Sequence, residues 1–188
     1  MRKLIVTENI SVDGVIEALD GWFGPTSGGD DVVATEREHY AACDAVLLGR
    51  QTYEDFKGYW PLQTDVATGI ADSLNRAEKY VVSSTMRASD WHNTTFLAGP
   101  LEEAVARLKA RPGRDIVATG SITLVRALIA AGLVDEYRLF VYPVVVGRGR
   151  RLFPEGFGDD LRLADARTFR SGVVLLTYRP TGTCERVQ

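Results

Sequence analysis

The sequence is poor in the residues from which metal sites and cross-linked frameworks are built. Its 188 residues include 2 cysteines and 2 histidines. Cys43 and Cys184 lack the spacing of a metal motif and cannot form a disulfide framework. Neither His39 nor His92 has another histidine at ligand spacing, so no metal site is expected. With so few histidines and no Gly-x-Ser-x-Gly elbow, a serine hydrolase triad is not expected either.

The sequence also lacks an apolar segment long enough to cross a bilayer. Its longest apolar stretch, residues 139–146, is interrupted by Pro143 and predicts a buried strand instead. No positively charged and then apolar leader opens the chain. Together with the scarcity of cysteine, these features favour a protein of the reducing cytoplasm, with no membrane partner.

Charge of one sign is not concentrated anywhere in the chain. The 22 Lys and Arg residues are scattered, and the formal net charge is -3. Nucleic acid is therefore not an expected partner, whereas small anionic ligands remain open. The length suits one domain, which we predict over residues 1–180, followed by a mobile C-terminal tail over residues 181–188.

Short apolar runs alternate with amphipathic segments along the first two thirds of the chain. This pattern predicts strands within residues 4–6, 45–48, 79–82, 94–97 and 116–118. It predicts helices within residues 31–42, from about Gly49 onward, and within 66–76, 101–108 and 122–129. Beyond Val134 only strands are predicted, within residues 136–146, 161–169 and 173–178. The prediction is an α/β fold with a central mixed sheet, parallel early and antiparallel late.

A long Gly- and Asp-rich loop, residues 12–30, separates the first predicted strand from the first helix, and it carries Trp22 and Phe23. Long ordered loops in compact domains are commonly lids or binding loops, and aromatic residues in one can cover a planar ligand. The aromatic rings can equally be tucked against the core. The sequence leaves both interpretations open.

Three of the predicted strands end in small polar turns. These turns are Gly49-Arg50-Gln51-Thr52, Ser83-Ser84-Thr85 and Gly120-Ser121-Ile122-Thr123. If the strands are parallel, their polar ends lie along one edge of the sheet, where open α/β sheets bind phosphorylated ligands. We therefore predict at this edge a groove for a ligand with several phosphates, such as a dinucleotide.

Arg50 lies in the first turn of a predicted helix, where a cation faces the positive end of the helix dipole. A phosphate nearby would remove this conflict, and the free backbone N–H groups and the Thr52 hydroxyl would complete an anion site. The alternative is a surface ion pair with Glu54, in the weaker order for an i,i+4 pair.

The other two turns also have ordinary structural interpretations. The hydroxyls of Ser83 and Ser84 suit a phosphate monoester or a ribose, but serine is common in turns for its own backbone bonding. Gly120 permits close approach of a ligand to the backbone, while Ser121 can serve as a helix N-cap. The run Gly147-Arg148-Gly149-Arg150 lacks the third glycine of a dinucleotide fingerprint and is predicted to be a loop.

Five motifs in order resemble the dihydrofolate-reductase-like superfamily. Within it, the likeness is closest to the reductase domain of bifunctional riboflavin-biosynthesis deaminase/reductases and to its stand-alone relatives. The resemblance extends from Leu4 to Tyr178. It rests on Ser11-Val12-Asp13-Gly14-Val15-Ile16, Leu48-Gly49-Arg50-Gln51-Thr52-Tyr53, Val82-Ser83-Ser84, Thr119-Gly120-Ser121, and Gly132-Leu133-Val134-Asp135-Glu136 with Pro143 and Gly147-Arg148-Gly149.

The resemblance implies a three-layer α/β/α domain, NADPH as hydride donor and a homodimer. By position it implies that Arg50 and Ser84 lie near the adenosine 2′-phosphate. The cofactor-binding residues implied or predicted are Gly49, Arg50, Thr52, Ser83, Ser84, Gly120, Ser121, Ile122 and Thr123.

The resemblance also implies that Asp13, Gly14 and the loop through Trp22 match a flexible segment that closes over nicotinamide and substrate. Folate reductases place a buried carboxylate at the start of the following helix, where Asp30 and Asp31 lie in this sequence, although either can be a helix cap. We predict Asp13 and Asp31 as catalytic residues and Gly14 and Trp22 as substrate-binding residues.

The predicted reaction is hydride transfer from NADPH to a pyrimidine ribosylamino substrate, similar to 5-amino-6-(5-phosphoribosylamino)uracil, or to a pterin-like substrate. The alternatives are pterin reduction of the dihydrofolate reductase type and non-catalytic binding of NADPH or another nucleotide. The zinc motif of a deaminase, His-x-Glu with Pro-Cys-x-x-Cys, is absent from the sequence, so a stand-alone reductase is expected.

Overall fold

A computed structural model describes residues 1–24, 27–63 and 69–182 of the chain. One eight-stranded sheet forms its centre. The strands are Leu4–Ser11 (β1), Cys43–Gly49 (β2), Glu78–Val82 (β3), Thr94–Leu97 (β4), Asp115–Ala118 (β5), Glu136–Tyr142 (β6), Leu161–Thr168 (β7) and Val174–Pro180 (β8). The α-helices are Asp30–Ala41 (α1), Arg50–Tyr59 (α2), Ile70–Arg76 (α3), Leu101–Ala110 (α4) and Ile122–Ala130 (α5). Short 3₁₀ turns occupy Leu19–Gly21 and Trp60–Leu62.

The strand order is β4-β3-β2-β5-β1-β6-β8-β7. The first six strands in this order pair in parallel, whereas β8 is antiparallel to both β6 and β7. The predicted mixed sheet, parallel early and antiparallel late, is confirmed. Most of the parallel strands are joined by helices, because the chain has to return from the end of one strand to the start of the next. The antiparallel strands β7 and β8 need no such return and form a tight hairpin.

The helices cover both faces of the sheet, which confirms the three-layer α/β/α architecture. Leu4 of β1 belongs to an apolar cluster with Val105 of α4 and Val125 of α5. Its neighbour Ile5 points to the opposite face and belongs to a cluster with Leu74 of α3. Adjacent strand residues face opposite sides, so one apolar run supplies two cores.

The structure extends several predicted elements and shortens others. Strand β1 continues to Ser11 through the polar residues Thr7, Glu8 and Asn9, which carry no apolar signal. Strand β6 ends at Tyr142, immediately before Pro143, which has no N–H to donate to a ladder. The helix predicted within 66–76 is observed as α3, while residues 64–68 lie outside the described part of the chain.

A buried lysine closes the end of α3. The Lys79 Nζ donates to the carbonyl oxygens of Leu74 at 3.0 Å and Asn75 at 2.9 Å, and lies 4.6 Å from the centre of the Trp91 ring. The side chain is fully buried. It satisfies two helix-end carbonyls that have no partner within α3 and so fixes this helix against the start of β3.

The predicted mobile tail falls largely outside the described residues, because residues 183–188, including Cys184, are not described. Thr181, at the start of that tail, donates its backbone N–H to the Asp160 carbonyl oxygen at 3.0 Å. Among the described residues, none of the helices is long and apolar enough to cross a membrane.

Candidate active site at the sheet edge

The three polar turns predicted to share one edge of the sheet do so. Strand β2 lies between β3 and β5, with Gly49 paired to Val82 and Leu47 paired to Ala118. The carboxyl ends of these parallel strands are therefore adjacent. The turns at Arg50, Ser83 and Gly120 follow directly from those ends.

A side-chain hydrogen bond joins two of the turns. The Ser121 Oγ accepts the backbone N–H of Gly49 at 2.9 Å. Ser121 precedes α5, yet its side chain makes no capping bond to that helix. The residue is 5% exposed, so its hydroxyl holds the β2–α2 and β5–α5 turns together rather than facing the groove.

Gly120 occupies a position that other residues fit poorly. Its φ is +64°, in the left-handed region, and an added Cβ would lie 3.3 Å from the Cγ2 of Thr52. Its N–H turns inward and donates to the Glu8 Oε1 at 2.8 Å. The backbone surface at this corner is therefore open to a ligand because no side chain projects from it.

The first turn of α5 offers fewer ligand groups than the sequence predicts. The Ile122 side chain lies in the core, and its N–H donates to the Gly120 carbonyl oxygen at 3.1 Å. Thr123 is exposed and carries a hydroxyl. The N–H groups of an initial helix turn have no partner within the helix, so the Thr123 hydroxyl and N–H are the polar groups that this corner presents.

An open pocket of about 940 Å³ lies beside the β2 and β3 ends. Arg50 enters it and also lies 3.7 Å from Glu54, through its Nη1 and the Glu54 Oε1. Both side chains of that pair are exposed, so the pair contributes little and leaves Arg50 available to an anion. The lining residues are Arg50, Val82, Ser83, Ser84, Thr85, Arg87, Leu97, Ala98 and Gly99.

Two neighbouring serines at the end of β3 have different environments. Ser83 is buried, and its Oγ accepts the N–H groups of Thr85 at 3.3 Å and Met86 at 3.0 Å, which is the ordinary turn role. Ser84 is exposed in the pocket. Arg87, which the sequence analysis did not single out, donates to the Ser84 carbonyl oxygen at 2.8 Å and adds a second cation to this pocket.

Asp13 has a structural role that does not favour its predicted catalytic one. Its Oδ1 accepts the Ser11 hydroxyl at 2.7 Å and the Val146 N–H at 3.0 Å, and its Oδ2 accepts the Gly147 N–H at 2.8 Å. The Ser11 bond first, and then these backbone bonds, lower the pKa of Asp13 to about 2. A carboxylate held ionised by three donors is a poor proton donor; it instead ties the loop after β1 to the loop after β6.

The first part of the predicted flexible segment is fixed in place. The carbonyl oxygen of Gly14, a residue at φ +84°, accepts the N–H of Leu152 at 3.0 Å. Ile16 donates its N–H to the Arg150 carbonyl oxygen at 3.0 Å. Glu17 accepts both the Arg150 backbone N–H at 3.0 Å and its side-chain Nε at 2.9 Å.

Asp31 lies away from the pocket that contains Arg50. Its Oδ1 accepts its own helix N–H at Val32 at 3.1 Å, and its Oδ2 accepts the Arg170 N–H at 3.1 Å. The hydrogen bond from the Arg170 N–H lowers the pKa of Asp31. Asp31 thus accepts an N–H from the first turn of α1 and holds the β7–β8 turn, and Asp30 lines the same separate pocket with Arg170. These contacts do not favour a catalytic role.

The aromatic residues of the long loop pack against the core. The Trp22 and Phe23 rings lie 4.5 Å apart, and the Trp22 ring lies edge-on to Tyr142 at 5.8 Å. The Trp22 Nε1 donates to the Glu17 carbonyl oxygen at 2.8 Å. Of the two interpretations left open by the sequence, the structure shows the core-packed one.

Glu36 is a carboxylate that the sequence analysis missed. It lies on the inward stripe of α1, which also contains Val32, Thr35, His39 and Tyr40. Burial raises the pKa of Glu36 to about 7. Burial and then the Glu36 charge raise the pKa of Tyr142 to about 12. The signal that could have identified Glu36 is a glutamate at a spacing otherwise occupied by buried residues.

Two polar atoms of β1 without a hydrogen-bond partner lie on the side of the sheet that α1 covers. The Thr7 Oγ1 and Asn9 Oδ1 are buried, and within the described ranges of the chain neither has a hydrogen-bond partner. They alternate with residues of the α4–α5 face and so point toward α1. Each unsatisfied buried group costs about 1–3 kcal/mol, and such groups often mark sites that bind water or a ligand.

Comparison with known proteins assigns the chain to a family. The model of the RibD C-terminal domain family matches residues 2–175. The uncharacterized protein YyaP of Bacillus subtilis strain 168 is 32% identical, covering 96% of each chain.

Among solved structures, a putative riboflavin biosynthesis protein from Shewanella sp. PV-4 superposes with a TM-score of 0.70 at 18% identity, covering 95% of this chain and 99% of that one. A pyrimidine reductase-like protein from Corynebacterium diphtheriae has a TM-score of 0.69 at 16% identity, covering 95% of this chain and 92% of that one. These two likenesses show the fold. The family model and the 32% identical relative show that the chain belongs to the RibD C-terminal domain family, whose reductase-like domains have the dihydrofolate-reductase-like fold predicted from its motifs.

Proposed function

We propose that this protein is an NADPH-dependent reductase that transfers a hydride to a carbon–nitrogen double bond of a pyrimidine ribosylamino or pterin-like substrate. The observation that carries the proposal is the meeting of three polar turns at one edge of the sheet. A dinucleotide with several phosphates needs several neighbouring anion sites, and few other small ligands do.

The chemistry of the edge fits NADPH. The Gly120 corner lacks a side chain that would exclude a diphosphate, and Thr123 supplies a hydroxyl beside it. Arg50, Arg87 and Ser84 surround the neighbouring pocket, where two cations suit the 2′-phosphate that distinguishes NADPH from NADH. NADPH, when bound, supplies the hydride.

We place the substrate beside Glu36, on the side of β1 that α1 covers. When the carbon of a C=N bond accepts a hydride, its nitrogen needs a proton. Glu36 is half-buried on the inward face of α1, and burial raises its pKa to about 7, which suits a proton donor near neutral pH. Asn9 adds an unpartnered acceptor that can orient an N–H of the substrate.

Pterin reduction of the dihydrofolate reductase type is the second candidate. Glu36 favours it, because a pterin ring presents adjacent N–H groups that pair with a carboxylate on a helix. Binding of an antifolate in competition with substrate would separate this candidate from the pyrimidine reductase.

The proposal is tested by titrating the protein with NADPH and NADH and then following the loss of reduced-nicotinamide absorbance with pyrimidine ribosylamino and pterin substrates. We expect tighter binding of NADPH and turnover of one substrate class. Binding without turnover would indicate a non-catalytic nucleotide-binding protein. No binding of either nucleotide would overturn the proposal.

We also propose a homodimer, as the resemblance implies, and a cytoplasmic location, as the scarcity of cysteine favours. Strand β7 supports the dimer because it forms one edge of the sheet and is exposed along almost its whole length. An exposed edge strand is a surface that a second copy can cover. Light scattering of the purified protein tests the subunit number, and a monomer at micromolar concentration would overturn the dimer.

A further inference from the structure

Glu8 is a buried carboxylate beneath the proposed cofactor groove. It follows Leu4 and Val6 on the same face of β1, and both of these residues are fully buried. Glu8 itself is 5% exposed. The alternation of a strand would place an apolar side chain at this position, so a carboxylate here needs a reason.

The partner of Glu8 is the backbone of the Gly120 turn. The Gly120 N–H donates to the Glu8 Oε1 at 2.8 Å, at the point where β5 has ended and the chain turns into α5. The paired register of β1 and β5 reaches only Val6 and Ala118, so Glu8 bridges the gap that opens beyond them. The position of Gly120 therefore depends on this side chain.

Glu8 is surrounded by groups that do not stabilise its negative charge. Burial raises its pKa to about 8, and the Gly120 bond offsets only part of this effect. Burial first, and then the charges of Glu36 and Glu8, raise the pKa of the Tyr40 phenol on α1. Leu139 is its register partner on β6 and carries no charge. No lysine or arginine among the described residues forms an ion pair with Glu8.

An anion at this corner binds more tightly when Glu8 is neutral than when Glu8 is ionised. A diphosphate resting on Gly120 and Thr123 brings negative charge close to the Glu8 carboxyl group. Charges that meet in a poorly solvated region interact more strongly than charges in water. The coupling is reciprocal, so a bound diphosphate must also favour the protonated form of Glu8.

We propose that Glu8 is a positioning residue that holds the Gly120 turn in shape as a neutral carboxylic acid and weakens the binding of the cofactor diphosphate when it ionises. This inference rests on the proposed function, because it concerns the affinity of the same groove for NADPH. It adds a specific linkage between one proton and cofactor binding.

The test measures the dissociation constant of NADPH between pH 6 and pH 9.5 for the wild-type protein, Glu8→Gln and Glu103→Gln. From pH 7 to pH 9 the wild-type affinity is expected to weaken about five- to tenfold, as one group with a pKa near 8 ionises. Glu8→Gln keeps the acceptor oxygen for Gly120 and cannot ionise, so its affinity is expected to remain constant over this interval. Glu103→Gln removes an exposed carboxylate of α4 and is expected to follow the wild-type curve.

A second readout follows the Glu8 carboxyl carbon by NMR during a pH titration. Saturating NADPH is expected to move its midpoint to higher pH. Equal pH dependence of NADPH affinity in wild type and Glu8→Gln, or an unmoved midpoint, would overturn the role of Glu8 and leave the proposed function standing. Failure of the wild-type protein to bind NADPH at any pH would overturn both proposals together.

Discussion

The hydroxyl of Ser121 accepts the backbone N–H of Gly49 at 2.9 Å, although the two residues lie 72 positions apart in the sequence. This bond connects the turn that precedes α2 with the turn that precedes α5. The Ser121 side chain makes this contact and does not cap α5. The two turns therefore keep a fixed separation. A ligand that spans both turns meets a groove that is already formed, which lowers the cost of binding.

Ser121→Ala is expected to lower the free energy of unfolding by about 1–3 kcal/mol, because the N–H of Gly49 loses its acceptor in a partly buried site. It is also expected to weaken NADPH binding, since the two turns are no longer held together. Thermal unfolding and nucleotide titration measure these effects. Ser171→Ala, which removes only a long 3.5 Å bond from the Val173 N–H in the exposed β7–β8 turn, is the matched control and should change both quantities much less; equal behaviour of the two variants would contradict the role of Ser121.

Arg50→Ala is expected to weaken NADPH binding by about 10- to 100-fold, the range for loss of a charge-assisted hydrogen bond to a phosphate. NADH lacks the 2′-phosphate, so its affinity should change far less. The measurement is a pair of titrations with the two nucleotides. Arg107→Ala provides the control, because Arg107 also makes an exposed i,i+4 ion pair, with Glu103 at 3.4 Å, but lies on α4. Equal losses for both nucleotides would show that Arg50 does not contact the 2′-phosphate.

The sequence predicts the shared edge of the sheet well because the signal is local. Each of the turns at Arg50, Ser83 and Gly120 ends a short apolar run, and parallel pairing then brings the ends together. The roles of individual residues within these turns are harder to predict from the sequence. That Ser121 binds Gly49 and that Ser83 binds its own turn depend on distances between segments that no local pattern encodes.

The carboxylates were the hardest residues to interpret from sequence. Asp13 and Asp31 stand at turn and helix-start positions, where an aspartate either caps the backbone or serves a ligand, and the structure shows backbone contacts for both. Glu8 and Glu36 carry no motif. Their importance comes from burial, which depends on how β1 and α1 pack against the rest of the chain.

Asp13→Asn is expected to reduce the fall in unfolding temperature as the pH is lowered from about 4 to 2. The folded-state pKa of Asp13 is lowered from 3.8 to about 2, first by the Ser11 hydroxyl and then by backbone N–H donors. A lowered carboxyl pKa stabilises the fold above pH 4, and this contribution is lost as the pH falls from about 4 to 2. The asparagine variant starts with a lower unfolding temperature near neutral pH and loses less on acidification.

The measurement for Asp13 is the thermal unfolding midpoint at pH values from 2 to 7. Asp72→Asn, an exposed aspartate on α3, is the control and should retain the wild-type dependence. If Asp13→Asn and wild type keep a constant difference across this range, Asp13 does not titrate with a lowered pKa, and its three hydrogen bonds are not formed in solution.

Glu36→Gln is expected to abolish most turnover while leaving NADPH affinity unchanged. An amide cannot release a proton to the substrate nitrogen, and loss of general acid catalysis typically lowers kcat by about 100- to 10,000-fold. In the wild-type enzyme, burial raises the pKa of Glu36 to about 7, so the protonated form that donates is lost as the pH rises through that value. The rate should therefore be highest below pH 7 and fall about tenfold for each further pH unit above it.

The control for Glu36 lies two residues away on the same helix. Glu38 is exposed, and Glu38→Gln should retain both the turnover and its pH dependence. A Glu36→Gln variant that turns over at the wild-type rate with the same alkaline decline would exclude Glu36 as the proton donor. Because the proposed NADPH groove is lined by Arg50, Ser84 and Arg87 and does not include Glu36, the nucleotide titration separates this result from general damage to the fold. An intact nucleotide affinity with a lost rate places the defect at the substrate.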